Sequence, residues 1–362
     1  MRRKLIAMGV IALSIVIGGC VIMLMLGSPL RLNPKTSLDG VDQEISEILY
    51  LGSLAPNSHN SQPWKVTLYE RSGTVNIQLD DARLLPTSDP DRRESYITLG
   101  CYIQTLQEAF EAYGYNADVE VHADGSATLT FERRKTGGLD TAKVSMLKKR
   151  HTDKRTFSKE PIHRECLEGL GESTICYPEA TEGYQTIADA TLSAVATQAD
   201  DLAFREELAQ WMRYSDDEAR ETRDGITAEM LGLGRIMKTL YYLTTNRETA
   251  EGDAFARQGI ETAENQVRNC GAFLAITGGN SPEELIDVGR ETARVWLACT
   301  ESNISVQPMS AALEVNETRA QLESELGTDL PIQMILRIGY VKDYGENMGV
   351  RRDLDEYVEV VG

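Results

Sequence analysis

Three separated segments of the 362-residue chain carry side chains suited to binding a polar, anionic ligand. The first, "APNSHNSQPW" at residues 55–64, places the carboxamides of Asn60 and Gln62 between two prolines. Carboxamides offer both donors and acceptors. The prolines restrict the loop, so these groups could hold the edge of a planar heterocycle at little ordering cost. A turn whose polar side chains cap their own backbone is the alternative interpretation.

The second and third segments are basic. "KKRHTDKRTF" at residues 148–157 holds five lysines and arginines within eight residues, and "GYVKDYGENMGVRR" at 339–352 ends on Arg351 and Arg352. Such side chains donate charge-assisted hydrogen bonds to phosphate. A solvated basic patch, and a surface pair beside Asp353, remain the alternatives, but a basic cluster is unexpected in a chain of net charge −19.

Together the three segments resemble the motifs of the FMN-dependent nitroreductase family: the loop "APNSHNSQPW", the phosphate-binding segment "RHTDKRTF", and a late "GY" followed by a basic pair. The loop precedes the basic segment here. This order, and the chain length, resemble the Acg-like branch, in which one chain holds two nitroreductase-like halves in place of a homodimer. The helices "TLGCYIQTLQEAFEAYG" and "DVGRETARVWLACTESNIS" fit that branch, and the resemblance covers roughly residues 41–362.

The resemblance implies an FMN cofactor bound between the two halves. The basic segment would contact the phosphate together with one or both C-terminal arginines. Lys154, preferred over Arg155 because one residue is inserted before Phe157, would lie near N1 and O2 of the ring, where a cation favours the reduced flavin. Asn57 replaces the family's usual serine, which leaves the contact near N5 open. The implied flavin-binding residues are Pro56, Asn57, Ser58, Asn60, Gln62, Arg150, His151, Thr152, Lys154, Arg351 and Arg352.

The function implied by the resemblance is a flavin oxidoreductase. NAD(P)H would reduce FMN, and a nitro compound, quinone or similar acceptor would take the electrons, with the flavin rather than a side chain carrying the chemistry. An FMN-binding or flavin-storage protein with little turnover is the alternative, because a helix-forming insert at about 215–265 could cover the flavin. Oxidative breakdown of the flavin is a third possibility.

These segments need a scaffold, and apolar periodicity predicts its elements. The patterns predict helices over 40–54, 95–116, 197–214, 226–244, 250–267 and 284–303, hairpins over 65–80 and 117–134, and strands over 272–277 and 331–341. The expected fold is α+β: a nitroreductase-like three-layer sandwich with a mostly antiparallel central sheet.

The two longest predicted helices show a weak internal repeat. Gly100 matches Gly289, and Gly114 falls opposite Asn303. Glycine and asparagine both tolerate the left-handed conformation that ends helices. The repeat suggests two related half-domains, which supply both flavin walls from one chain and so predict a monomer. We expect the first half, with the flavin-ring loop, at 41–140 and the second, with the phosphate-binding segments, at 141–362.

The N-terminus differs from the rest of the chain. Leu5–Leu26 contains 22 residues without a charge, enough to cross a bilayer, so residues 1–30 are predicted to be a single-pass membrane anchor and 31–40 a tether. The basic residues before this stretch favour an extracytoplasmic domain. Arg31 and Lys35 oppose that topology, as does the scarcity of NAD(P)H outside the cytoplasm, so the side of the membrane stays open.

Composition narrows the other possibilities. The net charge of −19 argues against a nucleic-acid partner. The six cysteines and four histidines form no recognisable metal-binding spacing, so no metal site is expected. Lipidation of Cys20 and a disulfide between Cys166 and Cys176 are left open.

Overall fold

The computed structural model describes residues 25–362 together with 18, 19 and 23. The predicted anchor at residues 5–26 therefore lies almost entirely outside the described residues. Among those that are described, no helix combines the length and apolar character required to span a bilayer. The predicted tether is packed on the domain: Leu38 is buried, and the carbonyl of Lys35 accepts a hydrogen bond from the Leu354 amide at 3.1 Å.

The strands of the described residues form two sheets, where the sequence had predicted one central sheet. The first has the order β3-β4-β2-β1-β9, and only its β1–β9 pair is parallel. Both predicted hairpins are confirmed, and Gly125 of the Asp-Gly turn has φ +80°. These strands are β1 Trp64–Tyr69, β2 Thr74–Leu79, β3 Tyr115–Val121, β4 Ala127–Arg133 and β9 Val358–Val361.

The second sheet has the order β5-β6-β8-β7 and is antiparallel throughout. Strands β6 and β8 are buried on both faces. In β6, Leu274 and Ile276 face one apolar cluster while Phe273 and Ala275 face another, which explains the unbroken apolar run. The strands are β5 Thr174–Pro178, β6 Ala272–Thr277, β7 Ser305–Pro308 and β8 Ile332–Gly339.

Helices occur in every predicted helical segment, with shifted ends, and also at 141–149, 182–196 and 311–326, where none was predicted. The stretch at 197–214 is divided at Asp201 into two helices, and the stretch at 226–244 becomes helical only from Arg235. The helices are α1 Gln43–Ser53, α2 Arg93–Ala112, α3 Thr141–Lys149, α4 Glu182–Asp200, α5 Leu202–Trp211, α6 Asp216–Thr222, α7 Arg235–Thr244, α8 Arg247–Ala250, α9 Asp253–Arg268, α10 Pro282–Glu301, α11 Ala311–Glu314 and α12 Asn316–Leu326.

The two long helices, α2 and α10, pack against each other between the sheets. A Cβ atom on Gly100 would overlap the Ile286 carbonyl oxygen, and one on Gly289 would overlap that of Ile97. The glycines of the internal repeat therefore allow the close approach of the two helices. Beyond the helix ends, Gly114 has φ +84° and Asn303 has φ +56°, as the repeat predicts. The helix pair lies between the two sheets, so the strands do not form the single central sheet that the sequence predicted.

The C-terminal strand returns to the other end of the chain. β9 pairs in parallel with β1, with Val358 opposite Val66, so the last residues of the predicted second half complete the sheet of the first. This path carries the basic pair at 351–352 behind the loop at 55–64, which lies directly before β1. The described cysteines, including Cys166 and Cys176, are free thiols.

Candidate functional site

The loop at residues 55–64 has a strained, internally bonded backbone. His59, Asn60 and Gln62 have φ values of 51°, 53° and 53°, in the left-handed region that residues other than glycine rarely adopt. The loop is held by the Asn57 carboxamide oxygen, which accepts from the Gln62 amide at 2.9 Å, and by Gln62 Nε2, which donates to the Arg223 carbonyl at 2.9 Å. Strain of this kind is typical of functional loops.

The loop forms one wall of a cavity of about 210 Å³ next to the crossing of α2 and α10. The opposite wall comes from the basic segment, so the structure brings together two segments that lie about 90 residues apart in the sequence. Helix α2 contributes Thr98 and Cys101, and α10 contributes Thr292 and Trp296. The predicted residues that line this cavity are Pro56, Asn57, Ser58, Asn60, Thr152 and Lys154.

A smaller space of about 70 Å³ adjoins the cavity and shares Pro56 and Thr152 with it. Arg150, His151 and Arg351, three of the residues predicted to bind FMN, line this end. The His151 ring pairs with the Lys149 carbonyl through Nδ1 at 3.0 Å, and burial lowers its pKa. The polar end of the site is thus built by the basic segment and the C-terminal segment together.

Arg150 is a buried cation with unused hydrogen-bond donors. It is 2% exposed, its Nη2 donates to the Leu54 carbonyl, and its Nε and Nη1 have no partner in the described part of the chain. Burial and the charge of Arg351 lower the pKa of Arg150 to about 9. The carboxamide nitrogen of Asn347, which lines the same space, also lacks a partner. Unsatisfied buried donors cost free energy, and an anion would satisfy them.

Arg351 shares this environment but has neutral partners. Its Nη1 donates to Asn60 Oδ1 at 2.9 Å and to the Val350 carbonyl at 2.8 Å, and burial lowers its pKa to about 10. Among the described residues, neither Arg150 nor Arg351 forms a salt bridge with a carboxylate. Glu229 lines the same space, but its carboxylate is paired with Lys238 at 2.5 Å. Two buried positive charges without a counter-ion fit a phosphate group.

Lys154 lines the larger cavity together with residues of the loop. Its ammonium has no hydrogen-bond or salt-bridge partner among the described residues, and burial lowers its pKa. Arg155 is engaged elsewhere, because its Nε and Nη2 bind the Asp153 carboxylate at 2.9 and 2.7 Å. The geometry agrees with the preference for Lys154 over Arg155.

Two predicted binding residues serve the scaffold instead. Gln62 and Arg352 line neither the main cavity nor the small space next to it. Arg352 Nη2 donates to the Gln62 carbonyl at 2.7 Å, the Arg352 amide donates to Gln62 Oε1 at 3.0 Å, and the guanidinium stacks over Tyr357. These hydrogen bonds connect the strained loop to the C-terminal segment. Both side chains lie between the two segments.

The cavity also contains acidic residues that the sequence reasoning missed. Glu94 accepts from Ser58 Oγ at 2.7 Å and from Arg93 at 2.9 Å. Glu314 accepts from Ser310 Oγ at 2.6 Å, and burial together with the charge of Glu94 raises its pKa to about 8. Helical spacing could have identified Glu94, which shares a face of α2 with Thr98 and Cys101. No sequence pattern around Glu314 indicated that it lines the site.

Two further lining residues, Cys101 and Trp296, come from the two long helices α2 and α10. The Arg150 guanidinium carbon lies 4.8 Å from the centroid of the Trp296 ring, so this side chain orients the cation as well as filling the core. Cys101 is buried as expected, and burial raises its pKa to about 12, so the thiol stays protonated at neutral pH.

Comparison with known proteins gives relatives that are similar along most of this chain. No protein-family model matches the chain. "Putative NAD(P)H nitroreductase Rv3131" of Mycobacterium tuberculosis (strain ATCC 25618 / H37Rv) is 23% identical over 338 residues, covering 88% of this chain and 91% of the relative. "Putative NAD(P)H nitroreductase acg" of the same strain is 22% identical over 330 residues, covering 87% and 95%.

Among solved structures, the FMN-dependent nitroreductase NfnB from Mycobacterium smegmatis in complex with NADPH matches at a TM-score of 0.37 and 17% identity. The match covers 60% of this chain and 96% of that chain.

Proposed function

We propose that this chain, which belongs to the nitroreductase family through its similarity to the two mycobacterial proteins, is an FMN-dependent NAD(P)H oxidoreductase. One observation carries the proposal: two buried guanidinium groups without a carboxylate partner, Arg150 and Arg351, lie at one end of a cavity whose wall holds the unpaired ammonium of Lys154. When bound, FMN supplies hydride and electron transfer that no side chain of the site could supply.

The arginine end would bind the phosphate. Arg150 has two free donors and Asn347 has one, so an oxyanion here gains hydrogen bonds without displacing any that the protein already makes. Trp296 holds the guanidinium plane in place, and Arg351 is fixed through Asn60. Little side-chain entropy is lost on binding because these groups are already ordered.

The other residues would hold the ring and control its charge. Pro56, Asn57 and Ser58 present the strained loop to the cavity, which orients a planar group along one wall. Lys154 would lie at the ring edge that becomes negative on reduction, where a fixed ammonium stabilises that charge in a site sheltered from water. The acceptor that we propose is a small nitro compound, a quinone or a similar oxidant.

Cofactor loading and anaerobic reduction test this function. We expect the purified protein to be yellow and to bind FMN rather than FAD, because the sequence contains no dinucleotide fingerprint such as GxGxxG. Mixing with NADPH in an anaerobic stopped-flow instrument should bleach the flavin absorbance within seconds. A colourless protein that FMN does not stabilise against heating would contradict the proposal.

A second candidate function, an FMN-binding protein with little turnover, is favoured by one specific contact. The segment before α7 lies over the cavity: Ile226 and Met230 line it. Asn60 Nδ2 donates to the Gly225 carbonyl at 3.0 Å, and the Gly225 amide donates to the Asn60 carbonyl at 3.2 Å. This segment would restrict a second substrate. FMN that binds tightly but is not bleached by NADPH would identify such a holder.

The proposal extends to assembly and location. We infer a monomer, since a single chain supplies both walls of the cavity. Sedimentation that finds an obligate dimer at micromolar concentration would count against this.

We also propose that Leu5–Leu26 anchors the chain in a membrane with the domain extracytoplasmic, where a membrane electron donor could replace NAD(P)H. A phosphatase reporter fused to the C-terminus, active only outside the cytoplasm, tests this topology.

A further inference from the structure

Helix α7 exposes an apolar face. Ile236 is 65% exposed, Met237 51%, Leu240 47% and Leu243 59%. Residues at these spacings lie on one side of a helix, so the four side chains form a single continuous surface, which we name the α7 face. Single exposed apolar residues need no explanation, whereas a contiguous patch indicates an interaction site.

The opposite side of α7, which faces the protein, combines one apolar contact, Tyr241 in a buried cluster with Met212 and Ala228, with polar side chains. Lys238 is 1% exposed and binds Asp216 Oδ1 at 2.7 Å and Glu229 Oε1 at 2.5 Å. Its neighbour Thr239 is also buried. A surface helix of a soluble protein normally turns its apolar side to the core. The ion pairs of Lys238 and the packing of Tyr241 hold α7 in this orientation, so the α7 face, although apolar, points away from the core.

The chain that follows the predicted anchor runs along α7. A Cβ atom on Gly27 would lie 2.6 Å from the Arg235 carbonyl oxygen and 2.8 Å from Thr239 Oγ1. Lys238 Nζ donates to the Ser28 carbonyl at 2.7 Å, and the Leu30 amide donates to Glu229 Oε1 at 2.8 Å. The uncharged stretch Leu5–Leu26 therefore joins the fold beside the α7 face.

We propose that the α7 face lies in the interfacial layer of a lipid bilayer, next to the point where the N-terminal segment enters it. A helix with one apolar face, lying in the membrane plane, is the usual form of such contacts. Exposed Arg235, at the start of the helix, is placed to meet lipid headgroups. A bilayer accounts for the anchor and the α7 face together.

Two other occupants fit the structure less well. If the N-terminal segment folded onto α7, its 22 uncharged residues would span about 33 Å as a helix, whereas Ile236 to Leu243 spans only about 10 Å. Most of the segment would then stay exposed to water. A second copy of the chain would cover the α7 face but would leave the uncharged segment beside it without an apolar environment.

Fluorescence quenching in vesicles tests this contact. The full chain is reconstituted in phosphatidylcholine vesicles with brominated acyl chains. The test variant is Leu240→Trp, on the α7 face. The matched control is Leu139→Trp, because Leu139 is also exposed, at 52%, but lies before α3. The wild-type emission is subtracted first. The remaining emission, from the indole introduced by Leu240→Trp, should be roughly half of its value in vesicles without bromine. Bromine on the acyl chains quenches only an indole that reaches their depth in the bilayer. The emission of the indole introduced by Leu139→Trp should not change.

Three results would overturn the proposal. One is equal quenching, or none, at both positions while the protein remains bound to the vesicles. Another is a wild-type chain that does not sediment with the vesicles, which would favour an N-terminal segment folded on the protein. The third is efficient cross-linking between copies through Leu240→Cys in the bilayer. Leu243→Trp serves as a second reporter of the same face if Leu240→Trp is poorly folded. This inference is independent of the flavin proposal, since none of its outcomes depends on a bound cofactor.

Discussion

Two arginine clusters in this molecule each contain buried guanidinium groups but differ in their electrostatics. Arg213 is 5% exposed and binds Asp224 Oδ1 at 2.5 Å, while Arg83 binds the other oxygen of the same carboxylate. Arg150 and Arg351 are buried to the same extent but have no carboxylate partner among the described residues. The first cluster is neutralised within the fold, and the second is not.

This difference distinguishes arginines that stabilise the fold from arginines that are available to bind a ligand. Arg213 uses Nε, Nη1 and Nη2 in contacts with Thr222, Gln210, Met212 and Asp224, so it needs no ligand. Arg150 leaves two donors unused. A buried charge without a partner lowers the free energy of unfolding by several kcal/mol. Such a charge is expected where a bound ligand offsets this loss.

The largest expected effect is on the neutralised cluster. Asp224→Asn keeps the shape of the side chain but leaves Arg83 and Arg213 without a counter-ion, so the free energy of unfolding should fall by about 3–5 kcal/mol, with or without FMN. Urea unfolding measures this. The control is Asp217→Asn, an exposed acid paired with Arg220 in the same segment, which should change stability by less than about 0.5 kcal/mol. If Asp224→Asn unfolds like the wild type, the two clusters do not differ as described.

The next effect concerns the cluster without a counter-ion, and it should appear in ligand binding. Arg150→Ala should weaken FMN binding by about 2–5 kcal/mol because the phosphate loses a buried cation. Riboflavin, which lacks the phosphate, should bind almost unchanged. The apo-protein should be at least as stable as the wild type, since an unpaired buried charge is removed. Fluorescence titration with both ligands and urea unfolding measure these quantities.

Lys148→Ala is the control for that titration. Lys148 belongs to the same basic segment, but its side chain is half exposed and pairs with Glu47 at 3.1 Å. A charge on the surface is screened, so FMN affinity should be preserved. Equal losses for FMN and riboflavin in Arg150→Ala, or a comparable loss in Lys148→Ala, would remove the assignment of the phosphate to Arg150.

The sequence predicted the elements that carry clear local signals, but it missed α3, α12, β5 and all except the last turn of α4. The alternating strands of both hairpins and the apolar run at Ala272–Thr277 lie where the patterns placed them. The repeat at Gly100 and Gly289 even indicated the helix crossing. β7 and β9, of four residues each, are too short to show a period of their own, and β9 depends on pairing with β1, almost 300 residues away.

The candidate site was predictable in its types of residue and less so in its geometry. The motifs indicated Arg150, Lys154 and Arg351 but could not tell Arg351, which lines the site, from its neighbour Arg352, which holds the loop. That distinction depends on the direction of two adjacent side chains. Glu314 was not predicted because its role arises only when α11 packs opposite the loop and brings it near Glu94.

A smaller effect separates the two cations of the cavity itself. Lys154→Met should preserve most of the FMN affinity but lower the midpoint potential of the bound flavin, because the reduced ring loses its counter-charge. The expected change is on the order of tens of millivolts, since 30 mV corresponds to about 1.4 kcal/mol for a two-electron couple. Redox titration of this variant and of Lys148→Met, whose potential should match the wild type, provides the measurement. An unchanged potential in Lys154→Met would place the ammonium away from the ring.

The last comparison tests the converse case, a buried acid that forms no ion pair among the described residues. Burial and the charge of Glu94 raise the pKa of Glu314 from 4.5 to about 8. Between these values the folded protein keeps a proton that the unfolded chain has lost, so the free energy of unfolding falls as the pH rises through this range. Glu314→Gln cannot titrate and should lose less stability between pH 5 and 8, whereas Glu317→Gln, an exposed acid in α12, should follow the wild type. Urea unfolding at a series of pH values measures the slopes. Parallel curves for wild type and Glu314→Gln would show that Glu314 is ionised in the folded protein, and that burial in this cavity does not prevent a carboxylate from keeping its charge.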